Sequence, residues 1–223
     1  MRIDIITCLP ALLESPFGYS IVRRAINKGL VDIQLHDLRR YGVGKHRQVD
    51  DKAYGGSAGM VLMIEPIVRC IEALKAERRY DEIIYMSADG APLTQKMANG
   101  LSVKKNLLML CGHYKGVDER VRMHLVTKEI SLGEYVISGG ELAAAVVVDS
   151  IVRLLPGVLS DATSALTDSY QNGLIAPPVY SRPAFFQGWK VPEVLCSGNH
   201  KEIEKWEDEQ SFIRTKQRKA LLD

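Results

Sequence analysis

Residues 130–159, reading ISLGEYVISGGELAAAVVVDSIVRLLPGVL, constrain this chain more than any other stretch. An acidic, glycine-bent segment, LGEYVISGGE over residues 132–141, leads directly into an apolar helix. That helix ends at Arg153 and is stopped by Pro156-Gly157. Glycine has no Cβ and tolerates positive φ, so Gly139-Gly140 lets the backbone approach another group closely. The first N–H groups of the following helix lack intrahelical acceptors and stay available as donors. A loop built this way grips a small molecule through its main chain.

The remaining chain supplies a frame for that loop. Residues 2–8 read as a buried strand and residues 30–38 alternate like one. Three short apolar runs, 82–87, 106–111 and 127–132, also have strand length. Helical patterns over 20–28, 65–77, 94–101 and 118–124 lie among them. Strands alternating with helices predict an α/β fold, a mainly parallel sheet with helices on both faces. Residues 39–59 are polar and glycine-rich, which predicts a long functional loop. After Leu159 the sequence turns to SDATSALTDSYQNG. The expected organisation is therefore a first domain over 1–159, a linker over 160–172 and a small helical C-terminal domain over 173–223. The last helix is expected from His200 to about Ala220.

Composition narrows the function classes. Basic residues exceed acidic ones by only 29 − 27 = 2, so any nucleic-acid contact must work through local patches. Cys8, Cys70, Cys111 and Cys196 form no CxxC pair, which fits buried free thiols in a reducing cytoplasm and argues against zinc. The N-terminus has an aspartate inside its short apolar run and no cleavage-site pattern, unlike a signal peptide. The longest apolar run is too short to span a bilayer, so no membrane role is expected.

Three of the predicted strands end in unusual residues: YMSADG from Tyr85, LCGHYKG from Leu110, and the glycine loop. In parallel α/β sheets ligands bind beyond the carboxyl ends of strands. Glycine after one strand is commonly just a turn. Three such ends together point to one shared pocket. Neither GxGxxG nor GxxxxGKS is present, so a Rossmann site and a P-loop are not supported.

The ordered motifs HRQVDDKAYGGSAGM, YMSADG, LCGHYKGVDERV, ISLGEYVISGGELAAAVVVD and DSYQNGL resemble the bacterial tRNA guanosine-37 N1-methyltransferases, of the knotted SPOUT class. The likeness extends through SRPAFFQGWKVPEVLCSGNHKEIEKW. It implies a deep trefoil knot, S-adenosylmethionine as methyl donor, and a homodimer with active sites between subunits. Magnesium is implied as an aid, although no cluster in the sequence marks a metal site. By position, the resemblance puts Tyr85, Met86, Ser87, Gly112 and Tyr114 in the cofactor pocket. Leu132, Gly133, Tyr135, Ile137, Gly139 and Gly140 join them from the glycine loop. The chain departs from the family pattern at Ala88-Asp89, at Ala143 and at Lys115, where the family often carries an acid.

Guanine N1 carries a proton at neutral pH, so its methylation needs a general base and a cation for charge building on O6. The resemblance gives these roles to Asp168 and Arg153. Judged alone, Asp168 would read as a solvated residue or helix cap, and Arg153 as a helix C-terminal cation. Asp161 is the nearest competing acid and ranks below Asp168. His36, Arg39, Arg40, Lys45, His46 and Arg47 form a local basic patch suited to phosphates. The resemblance adds Asp50, Gly55, Gly59 and Met60 to a guanosine pocket, and assigns the C-terminal helix to the tRNA anticodon arm. Trp189 and Trp206 read as core aromatics before base-stacking ones. Two alternatives stay open: a knotted methyltransferase acting on another RNA, and a catalytically silent RNA-binding module. Retention of Asp168 and Arg153 disfavours the second, and Lys115 is its only support.

Overall fold

A computed structural model of the chain describes residues 1–56, 58–159 and 167–222. The chain divides into two compact units, Met1–Ser160 and Asp161–Asp223. The first unit is built on five strands: β1 (Arg2–Thr7), β2 (Asp32–Asp37), β5 (Glu82–Pro92), β6 (Asn106–Cys111) and β7 (Lys128–Ser131). They lie in the order β2-β1-β6-β5-β7, and every pairing is parallel. A small antiparallel hairpin, β3 (Asp50–Lys52) with β4 (Met60–Leu62), stands apart from this sheet.

Period-two alternation decides which layer each side chain joins. Ile3, Ile5, Ile84, Met86, Leu107, Met109 and Cys111 project into one core. That core is closed by α1 (Ala11–Gly18), α2 (Ser20–Asn27), α4 (Gln95–Ser102) and α6 (Glu141–Val152). Their neighbours Ile6, Ile83, Tyr85, Leu108 and Leu110 fill the second core, under α3 (Ile64–Glu77), α5 (Glu119–His124) and the β3–β4 hairpin. Near-continuous apolar strands are what a sheet buried on both faces requires.

Several expectations change. Residues 39–59 are not structureless: a 3₁₀ turn over Leu38–Tyr41, a tight bridge between Val43 and Gln48, and β3 occupy much of the stretch. Buried Val49 and Leu62 anchor it to the second core. His36 is not offered to phosphates, because its Nε2 lies 2.6 Å from a carboxylate oxygen of Asp4. Cys196 is exposed, whereas Cys8, Cys70 and Cys111 are buried. Among the described residues no helix is long and apolar enough to cross a membrane.

In the second unit, a β-hairpin pairs β8 (Phe185–Phe186) with β9 (Trp189–Lys190), followed by α7 (Glu193–Cys196) and α8 (His200–Leu222). The Gln187-Gly188 turn has positive φ at both positions, as a two-residue hairpin of type I′ needs. Trp189 is 72% exposed rather than a core aromatic, while Trp206 is half-buried beside Tyr180. The turn carrying Asp168 is tied to α8 by the Arg218 guanidinium over the Tyr170 ring, and the following segment by the Ile175 N–H donating to the Thr215 hydroxyl at 2.8 Å. The expected linker falls mostly on residues 160–166, which lie outside the described ones, as does Asp161.

Asp4 is the one polar break in the buried run of β1, and its side chain is fully buried. Arg2 donates two hydrogen bonds to it, at 2.9 and 2.7 Å, and the Tyr80 hydroxyl donates a third at 2.8 Å. Burial alone would raise its pKa, but hydrogen bonds from His36, Arg2 and Tyr80 overcome that and hold the carboxyl well below the usual range. A lowered folded-state pKa stabilises above the unfolded value of roughly 4, and the benefit declines as pH falls towards the folded value. Asp4→Ala should therefore cost about 2 kcal/mol or more near neutral pH, by loss of a buried partner. Urea titrations of both proteins across acid pH would show the gap closing. A constant gap would mean packing, not charge, sets the cost.

Candidate functional site

The carboxyl ends of β6, β5 and β7 lie side by side because the strands are adjacent and parallel. β5 pairs with Ile130 twice, through Met86 and again through Ala91, so residues 87–90 are thrown out of the sheet as a loop. The Ser131 hydroxyl is 2.9 Å from the Ala88 carbonyl oxygen, and it accepts the Gly133 N–H at 3.1 Å. From the other side, the Gly140 N–H donates to the Gly112 carbonyl at 2.9 Å, beside a bridge between His113 and Gly139. The Ser131 hydroxyl and main-chain bonds thus stitch three loops together. They enclose a cavity of about 350 Å³, within the size range of small-molecule sites.

Every residue expected to hold a cofactor lines this cavity. Tyr85, Met86 and Ser87 come from the first loop, and Gly112 and Tyr114 from the second. Leu132, Gly133, Tyr135, Ile137, Gly139 and Gly140 come from the third. Apolar faces with main-chain donors and acceptors suit a flat heteroaromatic group. The Tyr85 hydroxyl is pushed above its ordinary pKa by burial, so it stays protonated.

Two polar groupings escaped the sequence reading. Glu141, the first residue of α6, is fully buried. The Thr7 hydroxyl donates to it at 2.5 Å, and His113 Nε2 lies 2.8 and 2.9 Å from its two oxygens. An acid opening an otherwise apolar helix after Gly-Gly was the available signal. The second grouping centres on Arg122 of α5, which lines the cavity over the Tyr85 ring, 5.7 Å from its centroid. Arg122 binds Glu129 at 2.7 Å and Asp89 at 2.9 Å. The Ser87 hydroxyl and then Arg122 hold the Asp89 carboxyl down to about 2. These partners come from distant segments, and no local pattern announces them.

The predicted substrate residues lie elsewhere. Arg39, Lys45, His46 and Arg47 are exposed on the 3₁₀ turn and the Val43–Gln48 bridge loop, away from the cavity lining. Asp50 sits on β3, opposite Leu62, and Gly55 in the hairpin turn. Gly59 and Met60 approach the cavity wall: the Lys115 N–H donates to the Met60 carbonyl at 3.0 Å, and Leu62 accepts and donates across to Asp118 and Gly116. Arg153 caps the far end of α6, so at 1.5 Å per residue it stands about 20 Å along the helix from Gly140. Asp168 belongs to the second unit, where its carbonyl accepts the Gln171 N–H at 3.4 Å. A magnesium ion does not fit the cavity: no group of three His, Cys, Asp or Glu that could hold a metal exists among the described residues, and Lys115 lines the wall.

The whole chain, residues 1–223, matches the profile of the family described as tRNA (Guanine-1)-methyltransferase TrmD. A tRNA (guanine-N(1)-)-methyltransferase of Cytophaga hutchinsonii is 64% identical over 222 residues, covering 100% of this chain and 94% of the relative. Proteins of the same name from Christiangramia forsetii and Bacteroides thetaiotaomicron are 60% and 59% identical. Each alignment covers all of this chain and 99% and 100% of the relative.

Of the glycines on the cavity wall, Gly140 is the one packed against backbone. A Cβ there would stand 2.8 Å from the Cys111 Cα and 2.9 Å from the Gly112 nitrogen, both backbone atoms that cannot turn aside. Gly140→Ala should cost about 1–3 kcal/mol in stability, as forced overpacking does. Gly100→Ala, at an exposed position of α4 with nothing within 4 Å, should instead stabilise by about 0.5–1 kcal/mol. Denaturant midpoints of the two variants moving the same way would contradict this geometry.

Proposed function

The chain belongs to the tRNA (guanine-1)-methyltransferase family, and it is an enzyme of the methyltransferase class. On that premise we propose that it transfers the methyl group of S-adenosylmethionine to N1 of guanosine 37 of tRNA, next to the anticodon. The observation that carries this reading is the convergence of three strand-end loops on one cavity, with all eleven expected cofactor residues on its wall. The adenosine of the donor lies among Tyr85, Leu132, Tyr135 and Ile137, and main-chain groups of Gly112, Gly133 and Gly140 read its polar edge.

In the reaction, the Asp168 carboxylate takes the N1 proton of guanine. The freed lone pair attacks the methyl carbon, and the carbon–sulfur pair returns to sulfur, neutralising the sulfonium. Arg153 stabilises the negative charge that builds on O6. The guanosine enters from the side of the β3–β4 hairpin, where Asp50, Gly55, Gly59 and Met60 form its pocket. Arg39, Lys45, His46 and Arg47 hold phosphates, and the C-terminal domain expected over residues 173–223 takes the anticodon arm. A splayed single-stranded loop base suits such entry. With the reaction on a tRNA and free thiols in the chain, the setting is cytoplasmic.

Two features support a homodimer with shared sites. α6 carries Leu142 and Val146, one turn apart, on its exposed face at 52% and 48%, with Asp149 following on the same stripe. Leu9, Leu12 and Val136 are exposed as well. Exposed apolar side chains grouped on one face need cover, and the missing cover is a second copy. The length of α6 also carries Arg153 away from its own chain's cavity. A partner's Arg153 and Asp168 therefore complete each site. For the trefoil knot, the support is that residues 132–140 cross the end of β5 to reach Gly112, while β5 itself extends along β7 to Pro92. Crossing connections at one sheet edge are what ordinary folds avoid.

The deciding assay supplies labelled S-adenosylmethionine and tRNA transcripts with guanosine or adenosine at position 37, then identifies the modified nucleoside. Label should appear as 1-methylguanosine from the guanosine transcript alone; label in any other nucleoside rejects the reading. Asp168→Ala should keep donor binding and slow turnover by about 10²–10⁴-fold. Arg153→Ala should slow turnover by about 10²-fold, with a smaller effect on donor affinity. Normal turnover in either variant removes that residue from the mechanism. Separately, Leu142→Asp with Val146→Asp should halve the mass seen by light scattering and abolish turnover. A full-mass, active double variant would move the interface elsewhere.

A further inference from the structure

Lys115 and Arg122 both line the cavity. Arg122 is already neutralised, by Glu129 at 2.7 Å, Asp89 at 2.9 Å and Glu119 at 3.5 Å. Lys115 differs. Among the described residues its ammonium has neither hydrogen bond nor ion pair, although its backbone N–H is fixed to the Met60 carbonyl at 3.0 Å. Its stem is placed closely. A Cβ at Gly59 would come within 3.2 Å of both the Cγ and the Cε of Lys115, so the stem lies along the glycine backbone of the hairpin. Gly59 has φ +102°, a conformation that a residue with a side chain rarely adopts, and its missing Cβ leaves the stem its room. The result is a positive charge with no partner among the described residues, on a stem held at the seam between the cavity and the β3–β4 hairpin.

Lys115 is exposed, so a ligand filling the cavity removes only part of the water around its ammonium, and a negative group placed there makes up that loss. The lining carboxylate of Asp89 cannot serve, being shared between Ser87 and Arg122. On the donor reading above, on which this step rests, S-adenosylmethionine brings two positive groups, a sulfonium and an ammonium, and one negative group. Like charges repel at short range, so Lys115 can be approached only by the negative one. We propose that Lys115 binds the carboxylate at the amino-acid end of the methyl donor. It thereby directs that end towards the hairpin and turns the repelled sulfonium away from the seam. Lys115 is a binding and positioning residue in this scheme, and it takes no part in proton transfer.

The test compares ligands that share the adenosine but differ at the amino-acid end. S-adenosylmethionine, S-adenosylhomocysteine and 5′-methylthioadenosine, which lacks the carboxylate altogether, are titrated calorimetrically into the full chain. The variants are Lys115→Met, which keeps the stem on Gly59 without the charge, and Lys115→Arg, which keeps the charge. Lys115→Met should weaken the first two ligands by about ten-fold or more, the scale of one charge-assisted hydrogen bond, and leave 5′-methylthioadenosine within about two-fold. Lys115→Arg should restore most of the loss. Equal weakening of all three ligands, or none of any, overturns the role of Lys115 while the donor reading stands. Failure of the unaltered chain to bind S-adenosylmethionine overturns the donor reading, and this inference with it.

Discussion

The buried carboxylate of Glu141 is the contact on which the site depends. It joins three parts of the chain that are far apart in sequence: the end of β1 through Thr7, the loop after β6 through His113, and the start of α6. A carboxylate wholly removed from water is tolerable only when its oxygens are satisfied, and the helix N-terminus adds favourable dipole. Glu141 therefore fixes the position at which α6 begins. The start of α6 fixes Gly140 against Gly112, and that contact closes the cavity wall. The Leu9 N–H in turn donates to the Thr7 hydroxyl at 2.9 Å, so the connection into α1 is set by the same chain of bonds.

How much of this was legible follows from how local each signal is. Residues 106–111 were read to the residue as β6, because an unbroken apolar run of strand length between polar neighbours has few other solutions. The glycine loop and its helix were equally plain. α1 went unread because Pro16 interrupts it and its periodicity is weak. The β3–β4 hairpin went unread because its strands are three residues each and β3 is Asp-Asp-Lys, with no apolar alternation to find. It exists because Val49 and Leu62 reach the second core and because Leu62 bonds to the loop after β6. The clusters around Asp4, Glu141 and Arg122 are long-range by nature, as Arg122 and Asp89 stand thirty-three positions apart. Trp189 shows the opposite error, since an aromatic in a two-residue strand has no layer to be buried against.

Electrostatics divides the cavity wall in two. On the β5 side, charges are mutually satisfied: Arg122, Asp89 and Glu129 form a closed set, and Asp89 is ionised at any physiological pH. That side holds its shape without a ligand. On the hairpin side, Lys115 is left to whatever enters. A preorganised wall opposite an unsatisfied cation orients a dipolar ligand before any reaction begins, because turning it round would meet repulsion without compensation.

The length of α6 turns this asymmetry into an argument about assembly. The same helix begins at the cavity with Gly140 and ends at Arg153, so the cation proposed for guanine O6 cannot serve the cavity that its own helix closes unless the chain bent back by about 20 Å. In the proposed dimer a neighbour supplies it, and the exposed Leu142 and Val146 lie on that same helix. Packing one α6 beside another would bury the apolar face and, with the helices antiparallel, bring the Arg153 end of each to the Gly140 end of the other. The requirement for apolar cover and the requirement for a cation at the site are then met by a single contact.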